Sequence, residues 1–416
     1  MEYPLMYSIL REFESGPAIT DPESAAASAV RENVSESVAR GARIAITAGS
    51  RGITGIVPVL RGIVAECRSV GARPFLVPAM GSHGGATADG QVQVLGRLGI
   101  TPETIGAPVE SSMETVEIGR IGDMPVYVDR IASEADGIVV VNRVKPHTIF
   151  SGPYQSGLMK MLLIGMGNHD GARAYHRAAL GTGFEQIVRQ AGALVLGRCN
   201  VIAGVALIEN AREELVEVEG LHPGDFVRCE PDLLARAERL MPMLPPGSVD
   251  LLIVDEMGKN ISGTGMDTNV LGRKHWCDYG TGEHLAGGPR RVFVRDLSLE
   301  TGGNAAGIGL ADVTLDRLVE KIDRGATITN SITATRPRGA MIPMSFSCDR
   351  DAINAMFASA GIDDPGQARI MRIRNTRFLE RVVVSKAFLD SVRDDASMIV
   401  ESGPSPMVFD RTGMLA

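Results

Sequence analysis

The sequence predicts an α/β protein of two domains with mainly parallel sheets, and three observations carry that expectation. Short β-branched runs alternate with longer amphipathic ones, the pattern of crossover units on a parallel sheet. Glycine-rich turns bound the runs, as in GSRG (49–52) and GSHGG (81–85). At 416 residues the chain is longer than one hydrophobic core usually serves.

ARIAITAGSRG (42–52) reads as a strand ending in a glycine turn, and ITGIVPVLRGIVAECRSVG (53–71) as the helix that follows. RPFLVPAMGSHGG (73–85) repeats strand and turn before the helix ADGQVQVLGRLG (88–99). DGIVVVNRV (136–144) is a third strand, which Pro146 stops, leaving His147 in a loop. CNVIAGVALIEN (199–210) is a further strand and PDLLARAERLMPML (231–244) a helix. MPMLPPGSVD (241–250) reads as the linker, which sets the expected domains at 1–245 and 246–416 with the active site in the cleft between them. Beyond it, VDLLIVDEMGKN (249–260) opens a new strand and turn, DVTLDRLVEKI (312–322) reads as a helix, and RIMRIRN (369–375) and RVVVSKAFL (381–389) as strands.

Composition removes several function classes. Hydrophobic residues at 44% and charged residues at 22% describe a globular protein. A net charge of -8 gives no overall attraction to nucleic acid or to an anionic membrane. The N-terminus has no uninterrupted apolar segment, so neither a secretory signal nor a membrane span is expected there, and a cytoplasmic location is. The five cysteines are scattered and never form C-x-x-C, which argues for buried thiols over disulfides or a zinc knuckle.

Arg51, His83, His147 and Lys259 each follow a predicted strand, in a turn rich in glycine or proline. Ligands bind outside the carboxyl ends of strands in open α/β sheets, so these turns are expected to converge on one crevice. The stretch KMLLIGMGNHDGARAYH (160–176) adds a lysine set among methionines and leucines, where a charge needs a reason. Snorkelling is the bland reason. His147, His169 and His176 lie close in sequence but do not form H-E-x-x-H, so a simple zinc protease is not expected. His169 is expected to face solvent from a polar turn, and His222, His275 and His284 are assigned no role.

Three features together resemble the lactate racemase family that uses a nickel-pincer nucleotide: the Gly-Ser-His turn at 81–83, the Pro-His at 146–147, and Lys160 followed sixteen positions later by His176. The resemblance is specific over about residues 45 to 180. It implies that Lys160 holds the cofactor, a pyridinium-3-thioamide-5-thiocarboxylic acid mononucleotide carrying Ni(II), through a thioamide. It implies that His176 ligates the nickel and that His83 and His147 are the two acid/base groups. A thioamide nitrogen is uncharged, which suits the apolar surroundings of Lys160. The implied activity is a racemase or epimerase, an isomerase acting at C2 of a 2-hydroxy acid by reversible, proton-coupled hydride transfer. Partners implied are the small-molecule substrate and the cofactor-synthesis enzymes; a homo-oligomer is compatible.

The substrate carboxylate then needs a cation, for which Arg51 is the first candidate and Arg273 and Lys259 the next. PYQSGLMKM (153–161) departs from the glycine- and arginine-rich run of lactate racemases, and Gly272 stands where the family pattern leads one to expect an amide, with Arg273 or Lys274 to compensate. These departures favour a relative acting on another acid. The polar segment MDTNVLGRKHWCDYG (266–280) points to a hydroxylated one such as a sugar acid. Two alternatives stay open: a nucleotide- or sugar-acid-binding protein without nickel, and a lysine Schiff-base enzyme built on Lys160.

Overall fold

The computed structural model describes residues 2–274, 288–392 and 395–416, without the side chains of residues 176 and 180–182. His275, Cys277 and His284 lie outside the described residues. The chain forms two compact units, one of Glu14–Met241 and one of Met1–Phe13 with Pro242–Ala416. The change of unit falls at the start of the proline-rich segment. The first thirteen residues, expected with the unit they precede, instead join the other. The strand Leu5–Arg11 pairs antiparallel with both Arg381–Ser385 and Met398–Pro406, a pairing between chain ends that no local pattern announces.

The unit Glu14–Met241 is built on a five-stranded sheet in the order Arg73–Pro78, Arg43–Ala48, Gly137–Arg143, Val201–Glu209, Leu215–Leu221. The first four strands are parallel and the fifth returns antiparallel. Strand side chains alternate between two cores. Ile44, Ile46, Val139 and Val141 pack with Leu60 and Ile63 on one face, and Ala45, Val77 and Val140 with Met159, Leu162 and Val188 on the other. The helix Ile56–Ser69 buries Val59, Leu60, Ile63, Val64 and Cys67 along one stripe. At Gly62 a Cβ would sit 2.1 Å from the carbonyl oxygen of Glu23, so the helices Pro22–Ser37 and Ile56–Ser69 meet backbone to backbone. Cys67 and Cys348 are buried free thiols; Cys199 and Cys229 are half-buried and also free.

The helix expected to open at Pro231 begins earlier, spanning Phe226–Leu240 with Pro231 inside it. Proline removes the N–H that would bond the Val227 carbonyl, four residues back. That carbonyl accepts the Tyr154 hydroxyl at 2.8 Å instead, so the helix continues with its acceptor satisfied.

The other unit carries an eight-stranded sheet in the order Met344–Phe346, Val313–Leu315, Arg291–Val294, Leu251–Val254, Ile370–Ile373, Arg381–Ser385, Leu5–Arg11, Met398–Pro406. The first five strands are parallel and the last three antiparallel. Two local expectations change here. DVTLDRLVEKI is not one helix: Val313–Leu315 is a buried strand and only Asp316–Glu320 is helical, because the β-branched start finds parallel partners on both sides. RVVVSKAFL likewise divides into the strand Arg381–Ser385 and the helix Lys386–Ser391, capped by Ser385.

Candidate active site

Three of the four predicted strand-end turns lie side by side. The strands before GSRG, GSHGG and KPHT are adjacent and parallel, so their carboxyl ends share one edge of the sheet. Ser50 Oγ stands 2.7 Å from His83 Nδ1, which joins the first turn to the second. Gly81 donates its N–H to the Gly165 carbonyl at 3.2 Å, and a Cβ at Gly49 would meet the Met161 methyl at 3.4 Å. Both turns therefore rest on the segment that follows Lys160. At the end of the fourth parallel strand, Glu209 accepts the Thr54 N–H at 2.7 Å and forms an ion pair with Arg143.

Lys160 ends the short helix Leu158–Lys160 and enters a π-helical turn, Met161–Gly165, a wide turn often associated with functional sites. Its neighbours Leu158, Met159, Met161, Leu162 and Leu163 are all core. The lysine itself keeps intermediate exposure. Burial, with the like charges of Arg51 and Lys145, pushes its amine down to about 7. Arg51 is lowered in turn, by desolvation and by Arg143. Asn168, at φ 50, breaks the chain before the helix Asn168–Thr182. His176 lies on that helix; its side chain lies outside what is described. Among the described residues no group of three or more His, Cys, Asp or Glu is placed to hold a metal.

His147 is held at two points. Its N–H bonds Gln155 Oε1 at 2.8 Å, and its Nδ1 accepts the N–H groups of Ile149 and Phe150 at 3.0 and 3.2 Å. A paired bridge between Lys145 and Ser156 closes the loop that contains it. Its ring stacks on Phe150 with centroids 4.4 Å apart, and Lys160 Nζ lies 6.0 Å from the centroid of the same phenyl ring. Phe150 thus links the histidine to the lysine. Phe150 and Lys145 are close to His147 in sequence, yet neither carries a motif.

Glu230 is the other residue that sequence reasoning misses. It is 1% exposed, and its Oε2 accepts the Met159 N–H at 2.8 Å at the start of the Lys160 helix. Gly157 leaves room for it, since a Cβ there would lie 2.5 Å from Glu230 Oε1. Burial pushes the carboxyl up to about 7 against the pull of the Met159 and Leu158 N–H groups. Its helix lies far along the chain, and only the fold joins them.

The remaining predicted residues belong to the other unit or to surface turns. Lys259 follows the strand Leu251–Val254 in the other unit and donates to Asn330 Oδ1 at 2.9 Å and to the Gly263 carbonyl. Arg273, 3% exposed, turns into that unit, paired with Asp312 at 2.7 Å and bonded to the Leu310 carbonyl at 2.6 Å. Lys274 is buried. Asp267 and Asn269 bond each other at 3.0 Å, which uses part of the polarity expected to meet a substrate, and residues 275–280 of that segment are outside the described region. His169 is exposed, and His222 accepts the Gly224 N–H at 3.1 Å as a turn cap.

Residues 19–186 match the family model described as lactate racemase N-terminal domain. The span contains Arg51, His83, His147, Lys160 and His176. Over these residues the chain is similar to the N-terminal domain of lactate racemases. The fold is shared with the lactate racemase apoprotein from Thermoanaerobacterium thermosaccharolyticum, at a TM-score of 0.52 and 12% identity, over 89% of this chain and 98% of that one. No protein of curated function matches the sequence. Among the described residues no helix is long and apolar enough to cross a membrane.

Proposed function

We propose that the chain is an isomerase that racemises or epimerises a 2-hydroxy acid at C2, with a nickel-pincer nucleotide attached at Lys160. The observation that carries the reading is the state of that lysine: an amine near half-neutral at neutral pH, crowded by Arg51 and Lys145 at the shared edge of three strand-end turns. A neutral amine is a competent nucleophile toward an activated acyl or thioacyl carbon. Once acylated it carries no charge, which relieves the crowding and leaves Arg51 suited to anionic groups of cofactor and substrate.

When bound, the cofactor supplies the hydride acceptor and donor. His176 would hold the nickel through its imidazole. The chain's other residues bind and move protons. Arg51 takes the substrate carboxylate in a bidentate pair, while His83 and His147 face the hydroxyl of the two antipodes. Arg273 and Lys259, on the other unit, are the next candidates for that carboxylate. The reading requires cofactor-synthesis enzymes as partners and places the protein with them in the cytoplasm.

The test is to produce the chain with those enzymes, measure its intact mass, and assay a panel of 2-hydroxy acids in deuterated water. A covalent adduct of several hundred daltons and interconversion with the C2 hydrogen retained are expected. No adduct and no interconversion would remove the reading. The depressed amine also favours a second one, a Schiff-base enzyme on Lys160. Borohydride trapping of a carbonyl substrate on Lys160 of protein made without the cofactor enzymes would select it.

A further inference from the structure

Between Lys160 and His176 the chain changes course at Asn168, and that joint is locally unfavourable in two ways. Asn168 sits at φ 50, in the left-handed region that a residue with a Cβ adopts only under strain. It is fully buried, and its Oδ1 has no hydrogen-bond partner among the described residues. Glycine would relieve the strain; what asparagine adds is its amide. Nδ2 donates to Asp129 Oδ2 at 2.7 Å and to the Ser112 carbonyl at 3.1 Å, two acceptors that dictate which end of the amide faces them. Asp129 is fixed in turn, because its Oδ1 accepts the Ala132 N–H at 2.9 Å and its own N–H bonds the Met166 carbonyl at 2.6 Å.

Asp129 ends a hairpin, Thr115–Ile121 with Met124–Asp129, that forms a sheet of its own. The hairpin grips the segment beyond Lys160 along its length. Asp129 takes the Met166 carbonyl and the Asn168 amide, the Thr115 hydroxyl donates to Asp170 Oδ2 at 2.9 Å, and the hydroxyl of the fully buried Tyr175 accepts the Tyr127 N–H at 3.2 Å and donates to its carbonyl at 3.3 Å. We infer that Asn168, braced by Asp129, is a positioning residue: it sets the course of the helix Asn168–Thr182 relative to the Lys160 turn, and so holds His176 in register with the lysine for nickel. A strained backbone and an unpaired amide oxygen persist where surrounding structure enforces them, which is common at functional joints. The consequence for nickel rests on the reading given above; the braced bend does not.

The test uses the full chain made with the cofactor-synthesis enzymes, and reads intact mass and the rate at which nickel leaves on dialysis. Asn168→Gly admits the same φ without the amide, and Asn168→Asp sets a carboxylate against Asp129. Both are expected to keep the covalent adduct and to lose nickel roughly 10-fold to 100-fold faster, the usual effect of removing a group that orients a metal ligand. Asn168→Asp combined with Asp129→Asn rebuilds the contact with donor and acceptor exchanged, and should recover part of the retention. Ile63→Val, which trims the core on the other face of the sheet, should lower stability without changing nickel loss. A wild-type rate in folded Asn168→Gly, no recovery in the double variant, or equal nickel loss in Ile63→Val would overturn the inference. If the wild-type chain takes no adduct or no nickel, the functional reading fails. Crystal structures of the wild-type and Asn168→Gly apoproteins then decide the positioning, since an unmoved helix Asn168–Thr182 overturns it.

Discussion

Two cation clusters, one in each unit, are built in opposite ways. In the unit of Met1–Phe13 and Pro242–Ala416, cations are matched by carboxylates: Arg273 with Asp312, Arg372 with Asp255, and Arg295 with both Asp255 and the fully buried Asp349. Burial works against the Arg295 charge, yet the two carboxylates outweigh it and hold its pKa above the ordinary value. In Glu14–Met241, the neighbours that perturb Lys160 are themselves cations, Arg51 and Lys145. A matched cation is architecture. A lysine buried beside like charges at one end of a parallel sheet costs stability until a covalent change removes its own charge, which is why it points to chemistry.

The comparison breaks most visibly at Lys160. Lys160→Ala should abolish both the covalent adduct and turnover, since the attachment needs that amine; a normal adduct by intact mass would end the assignment. His83→Ala should keep the adduct and lose about 10²-fold or more in turnover, the usual contribution of a general acid/base, measured as initial rates for each antipode. In His176→Ala the adduct should persist while nickel, measured by elemental analysis after dialysis, is depleted.

Arg273→Met tests the other side of the contrast. It should leave the adduct intact but destabilise its unit by about 3 kcal/mol or more, because Asp312 loses its partner, as read by denaturant unfolding. Equal stability would show that the pair is not structural.

The smallest effect sharpens the contrast through pH. The Lys160 amine is lowered to about 7, so the unfolded chain binds more protons between pH 7 and the ordinary lysine range, and this lysine makes apoprotein stability rise through that window. Glu230 is raised to about 7, so the folded chain binds more protons between the ordinary carboxyl range and pH 7, and this glutamate makes stability fall there. Their summed contribution is lowest near neutrality. Glu230→Gln should flatten the acid arm, and cofactor attachment at Lys160 should flatten the alkaline arm; unfolding midpoints across pH decide both. Arg51→Met should raise the pH at which the amine becomes reactive to an acylating probe, since one repelling charge is gone.

The sequence by itself determined the parallel strands of Glu14–Met241, because each is a short β-branched run closed by glycine or proline, and a local pattern suffices to write it. It also determined that Lys160 is out of place in LMKMLL, since hydropathy is read residue by residue. Elements whose form depends on distant partners were decided only by tertiary structure. Leu5–Arg11 is assigned to its unit by pairing with Arg381–Ser385 and Met398–Pro406, and Val313–Leu315 becomes a strand because strands lie on both sides. The difference between Arg51 and Arg273 is of the same kind: both are arginines near glycines in sequence, and only the carboxylate that packs beside one and the cations that crowd the other set their surroundings apart. Glu230 shows the limit most sharply, because a carboxylate placed against the Lys160 helix from a distant segment has no local signature, and its proton affinity comes from the burial that folding imposes.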